Sequence, residues 1–217
     1  MPRRPVEWPL RTWTSSVAVA ALAATLASSP PVLSAEPLRE GSEPPARTRP
    51  LELVRALSSR VFAAQGGQRE IEIRRVTAEL FDLREIARLT LGEHWQEGSV
   101  EEQDEFVRLF AGMLERAYLT NIRNMPPPTV TFEDELISEP YARVTSRVAS
   151  QRGETSIEYR LWRNRGRWAV YDVAVNGVGL VSSYRSQFNS ILRNGSFADL
   201  LARMRSRGAS ARQEQGP

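Results

Sequence analysis

Cysteine and lysine are both absent from the 217 residues, and histidine occurs once, as His94. Without cysteine there is no disulfide, no thiolate nucleophile and no thiolate metal ligand, so stability has to come from a packed core. A single histidine excludes a multi-histidine zinc site. A Ser–His–Asp triad would have to recruit His94, which stands in GEHWQ at a helix end, and the chain has no nucleophile-elbow motif. No glycine-rich phosphate loop is present. The acidic run Glu101–Glu105 falls in the first turns of a helix, where the dipole favours carboxylates, and it lacks calcium-loop spacing. Beyond residue 35 no stretch is long and apolar enough to span a bilayer.

What is present begins with an export pattern. Arg3, Arg4 and Arg11 form a basic start, Val17 to Ala27 form a short apolar core, and small residues lead to a cut after Ala35 or earlier, after Ala27. The formal net charge of the whole chain is +3. Removing residues 1–35 takes away three arginines and Glu7 and lowers it to +1. The remaining arginines alternate with acids, so a nucleic-acid partner is not expected. An exported protein without a membrane span follows, with residues 36–49, rich in Pro, Glu and Arg, as a disordered linker.

Residues 50–207 read as one domain. Pro50 opens a first helix with Leu53, Leu57, Val61 and Phe62 on one face, and a second helical segment runs from about Glu70 to Leu80. Asp82 with Glu85, and Ser99 with Glu102, are capping-box pairs. The second pair opens the longest helix, whose apolar face carries Phe106, Leu109, Phe110, Met113, Leu114, Ala117 and Tyr118. The run Pro126–Pro128 stops it, and the period then changes to two. Strands are expected at 129–138, 142–151, 155–164 and 167–175, with QRGE and RNRGR as hairpin turns. Asn176-Gly177 and Gly179 break the last strand, and Leu180, Val181, Tyr184 and Phe188 recur at helical spacing directly afterwards. A final helix is capped by Ser196 with Asp199, and residues 208–217 form a flexible tail.

Helices, then an antiparallel meander, then helices again indicate an α+β fold with helices against one sheet face. Periodicity does not distinguish a filled core from a cavity with apolar walls. Asp172, set among apolar strand residues, needs a partner, and a structural hydrogen bond or an arginine pair is favoured over an acid/base role.

Three segments, FDLREIARLTLGEHW, SVEEQDEFVRLFAGMLERAYLTNI and RWAVYDVAVNGVGLVSSYRSQFNSILRNGSFADLL, resemble the MlaC family over residues 50–207. The resemblance rests on Leu91-Gly92 with Trp95, on the Gln103–Phe106–Phe110–Leu114–Tyr118 face, and on Tyr171-Asp172-Val173 with Gly177. Gly179 stands where members usually carry serine, and the segment before Phe81 is short.

The resemblance implies a cone-shaped, sheet-and-helix lipid pocket and a periplasmic phospholipid carrier that is no enzyme, needs no cofactor or metal, and acts as a monomer. The implied partners are phospholipid, the MCE-domain subunit of an inner-membrane ABC transporter, and an outer-membrane lipoprotein complex. A hopanoid or other lipid cargo is an alternative, as is a small NTF2-like enzyme using Asp172. The expected lipid-facing residues are Leu91, Trp95, Phe106, Phe110, Met113, Leu114 and Tyr118 from helices, and Val144, Val148, Ile157, Tyr159, Leu161, Trp168 and Val170 from strands. Val178, Leu180, Tyr184 and Phe188 are expected on the lid side.

Overall fold

The computed structural model describes residues 48–64, 67–122, 129–150 and 153–213. The expected export signal, most of the linker, the proline run at 126–128 and the end of the tail lie outside the described residues. Among the described residues no helix is long and apolar enough to cross a membrane.

The chain runs α1 (Pro50–Ala63), α2 (Gly67–Leu80), α3 (Leu83–Leu91), a 3-10 turn (Gly92–Glu97) and α4 (Val100–Ile122). Then come β1 (Thr129–Ser138), β2 (Tyr141–Ser150), β3 (Gly153–Asn164), β4 (Arg167–Val175), β5 (Val178–Gly179), α5 (Leu180–Leu192) and α6 (Phe197–Gln213). The fold is α+β, with one five-stranded antiparallel sheet in the order β1-β2-β3-β4-β5.

Local chemistry accounts for the boundaries. Ser99 and Glu102 form a reciprocal box at the start of α4, with Ser99 N donating to Glu102 Oε2 at 2.9 Å and Glu102 N to Ser99 Oγ at 3.3 Å. Ser196 and Asp199 repeat the device at α6. At α3 only half of the expected box forms: Asp82 accepts from Glu85 N at 3.0 Å, while the Glu85 carboxylate turns to Arg88. The second Asp82 oxygen accepts from Trp162 Nε1 and Asn164 Nδ2 on β3, so this cap also fastens α3 to the sheet. α6 continues to Gln213, past Gly208, where the tail is expected to begin. Gly208 is buried against Arg116 of α4, which gives the helix a reason to continue.

The chain after β4 does more than turn a corner. Asn176 and Gly177 have φ of 48° and 81°, a two-residue turn of the kind that matches strand twist. The turn sends β5 back beside β4, pairing Val178 with Val175 and Gly179 with Ala174, before α5 starts. Asn-Gly is the strongest short hairpin signal, and its reading as a simple strand end misses this fifth strand.

Two apolar cores result. The first lies between the inner face of the sheet, α1, α2 and Tyr118 of α4. The second is helical and joins α3, the 3-10 turn, α4, α5 and α6. Phe81 packs against both, and its neighbour Asp82 donates its backbone N–H to Val170 O at 2.9 Å. Arginine pairs brace the outside: Arg60 bridges Glu72 and Glu79, Arg74 reaches Glu115, and Arg205 reaches Glu105.

Candidate functional site

The inner sheet face is built by alternation. On β2, Ala142, Val144, Ser146 and Val148 are buried in phase, and on β3 Ile157, Tyr159 and Leu161 lie beside them. On β4 the phase changes. Leu161 pairs with Val170 but Arg160 pairs with Asp172, so Tyr171 is an extra residue on that strand. The bulge keeps Trp168, Val170, Val173 and Val175 on the inner face and turns Asp172 to the other side, under the start of α5.

There the Asp172 carboxylate is fully engaged. Oδ1 accepts from the backbone N–H groups of Val173 at 2.9 Å and Val181 at 3.0 Å, and Oδ2 accepts from Arg160 Nη1 at 2.9 Å. Glu158 shares the same arginine. Asp172 thus supplies the cap that α5 lacks locally, because its N-cap residue Gly179 has no side chain to offer. A Cβ at Gly179 would lie 3.1 Å from Asp172 Oδ2, so the glycine leaves the room that this cap occupies. The role is the structural one expected for Asp172. His94 lies on the 3-10 turn with Nδ1 2.7 Å from Glu97 Oε1, and among the described residues no cluster of three or more metal-binding side chains occurs.

The expected lipid-facing residues divide between the two cores. Val144, Val148, Ile157, Tyr159, Leu161, Trp168 and Val170 come together in the sheet core with Tyr118. Leu91, Trp95, Phe106, Phe110, Tyr184 and Phe188 are buried in the helical core, with Met113, Leu114 and Leu180 half-buried against it. The helical and strand sets therefore do not oppose each other face to face. The helical core is closed by rings: Phe110 meets Tyr184 edge-on at 5.0 Å, Phe106 meets Phe188 at 5.3 Å, and Phe106 stacks on Phe110 at 5.6 Å. Gly98 lets the Phe197 ring approach to 2.9 Å from where a Cβ would stand. Val178 is 49% exposed beside the Asn-Gly turn and belongs to neither core.

The sheet core is different because it contains buried hydroxyls that lack partners among the described residues. Ser58 of α1 and Ser146 of β2 are completely buried, Tyr118 is nearly so, and none of their hydroxyls has a hydrogen-bond partner among the described residues. Tyr159 lies among them. Burial pushes its phenol far above the ordinary range, and the nearby Ser146 and Ser58 hydroxyls pull the other way. These serines stand close enough to act on Tyr159, yet neither meets the geometry of a hydrogen bond. Burial also raises Tyr118, against the opposing charge of Arg69. Ser58 and Ser146 were not among the expected site residues. Their signal is phase: Ser58 occupies the Val54–Leu57–Ser58–Val61 stripe, and Ser146 sits between Val144 and Val148.

Comparison with known proteins gives the arrangement a context. The phospholipid-binding protein from Ralstonia solanacearum, solved in complex with a phospholipid, superposes with a TM-score of 0.65 at 21% identity, over 75% of this chain and 98% of that one. A candidate NTF2-like transpeptidase from Campylobacter jejuni reaches a TM-score of 0.39 at 14% identity, over 57% of this chain and 97% of its own, and carries no weight here. No curated protein matches the chain. The MlaC protein family model matches residues 52–206, which is most of the chain, and the protein belongs to the MlaC family.

Proposed function

We propose that this protein is a periplasmic phospholipid carrier whose cargo lies against the inner face of the sheet. The observation that carries the reading is a sheet core lined with apolar side chains from β2, β3 and β4 that also contains buried hydroxyls without protein partners. Family membership and the phospholipid held by the Ralstonia protein support it. A diacyl lipid exposes roughly thirty methylenes to water at about 0.8 kcal/mol each, so on the order of 20 kcal/mol opposes its free passage between membranes. A carrier has to replace that burial and needs no catalytic group. The engagement of Asp172 on both oxygens supports a binding protein over an enzyme that uses it as a base.

Within this reading Tyr118, Val144, Val148, Ile157, Tyr159, Leu161, Trp168 and Val170 contact cargo, while the aromatic helical core holds the wall in place. The carrier would exchange lipid with an MCE-domain subunit of an inner-membrane ABC transporter and with an outer-membrane lipoprotein complex, after export and cleavage near Ala35. The Arg185 guanidinium donates to Leu89 O and so is a weak candidate for docking an acidic partner. The exposed Arg165 and Arg167 of the β3–β4 hairpin remain available for an acidic partner rim.

Mass spectrometry of organic extracts from natively purified, exported protein is expected to show phospholipid, and the intact mass reads out the cleavage site. An empty extract would overturn the carrier reading. Labelled lipid should then pass from loaded protein to a purified MCE-domain subunit, and a failure of transfer from a loaded carrier would remove the shuttle step while leaving binding intact.

A further inference from the structure

We propose that Ser58, Tyr118 and Ser146 form a buried hydrogen-bonding site for an uncharged oxygen acceptor carried within an otherwise apolar ligand, the ester carbonyls of a diacyl lipid being the chemistry that fits. The inference rests on the carrier reading and adds a recognition element to it. Three separate elements, α1, β2 and α4, each place a hydroxyl in the same apolar core. Ser146 pairs in register with Ile157 and lies diagonally beside Tyr159 on one sheet face, and α1 covers that face. All three hydroxyls lack a partner among the described residues, although buried polar groups are ordinarily satisfied. Apolar residues of similar size would pack there without that penalty.

The chemistry of the site selects its occupant. Serine and tyrosine hydroxyls donate to carbonyl oxygens, and burial keeps the phenols protonated. Among the described residues the one acid near this face is Glu135 of β1, paired in register with Val144, and its carboxylate is already taken by Leu51 N–H and Arg49, while Arg69 stands half-buried at the margin. A phosphate at this depth would be an unpaired buried charge, so the charged headgroup belongs elsewhere. An ester carbonyl has no such cost and brings two lone pairs to three donors.

The test uses delipidated mature protein and two probes of equal chain length and headgroup, a diacyl phosphatidylglycerol and its diether counterpart, in competition read by native mass spectrometry. The parent protein should prefer the diester by roughly fivefold to tenfold, the equivalent of about one net hydrogen bond. Ser58→Ala, Ser146→Ala and Tyr118→Phe should each reduce that preference, and the triple variant should bind both lipids alike. The lipid-free variants should melt no lower than the parent, since each removes an unsatisfied group from an apolar setting. Equal binding of both lipids by the parent, or a preference unchanged in the triple variant, would overturn the hydroxyl site and leave the carrier reading standing; the hydroxyls would then hold only water. Binding of neither lipid by the folded parent would overturn both.

Discussion

A single carboxylate shows how much one side chain can decide. Asp172 accepts two backbone N–H groups and an arginine, and one of those N–H groups starts α5. Removing it orphans buried donors and leaves Arg160 with Glu158 alone. Asp172→Ala is expected to destabilise the protein by about 2–4 kcal/mol, with Asp172→Asn milder, in urea denaturation. Lipid retained per folded molecule should not change, whereas an enzyme using this carboxylate would lose turnover in both variants.

The buried tyrosines act on the alkaline side. Tyr184 is pushed up to about 12 by burial, and Tyr118 and Tyr159 are raised further for the same reason. Each folded value exceeds the ordinary value near 10, so the unfolded chain releases its protons first. Their contribution to stability is complete below pH about 10 and is lost progressively as pH rises through 12 and beyond. Phenolate absorbance of the native protein should lag that of the denatured protein across this window. Coincident titration would show that the rings are not buried.

Elements are joined here by turns and caps that serve two partners at once. Asp82 caps α3 and also accepts from Trp162 and Asn164 of β3. The Asn176-Gly177 turn makes β5, and β5 sets the position from which α5 departs toward the helical core. Gly177 has φ of 81°, a conformation that costs any residue with a Cβ. Gly177→Ala should therefore destabilise by about 1 kcal/mol in denaturant titration although nothing crowds the new methyl, which makes it a test of backbone conformation alone. A variant as stable as the parent would mean that the turn relaxes without cost.

Across the whole molecule, two cores meet at Phe81, and the proposed carrier assigns binding to the sheet core and support to the helical one. The helical core is filled by interlocked rings, so Phe110→Ala should cost about 3–5 kcal/mol in equilibrium unfolding. A loss of under about 1 kcal/mol would show a loosely packed wall that collapses around the change. Phe110→Arg, which places a charge among Phe106, Tyr184 and Phe188, acts on folding before it acts on lipid. On the proposed carrier reading, mutations aimed at cargo belong on the sheet face, where Val148 and Ser146 stand.

Helix periodicity, the Ser99 and Ser196 boxes, the four long strands and the structural role of Asp172 were legible in the chain, because each depends on residues a few positions apart or on the cost of a lone buried charge. The α+β class followed from the order of those elements, and the family from three separated segments. Tertiary structure decided the rest. The Tyr171 bulge, which turns Asp172 away from the inner face, exists only through pairing with β3. The partition of the aromatic helix face from the sheet face is likewise a packing outcome: an amphipathic stripe specifies that it will be buried, not against which partner. Ser58 and Ser146 read as small residues within apolar stripes until three elements brought their hydroxyls, with that of Tyr118, into one core, where the absence of a partner becomes visible.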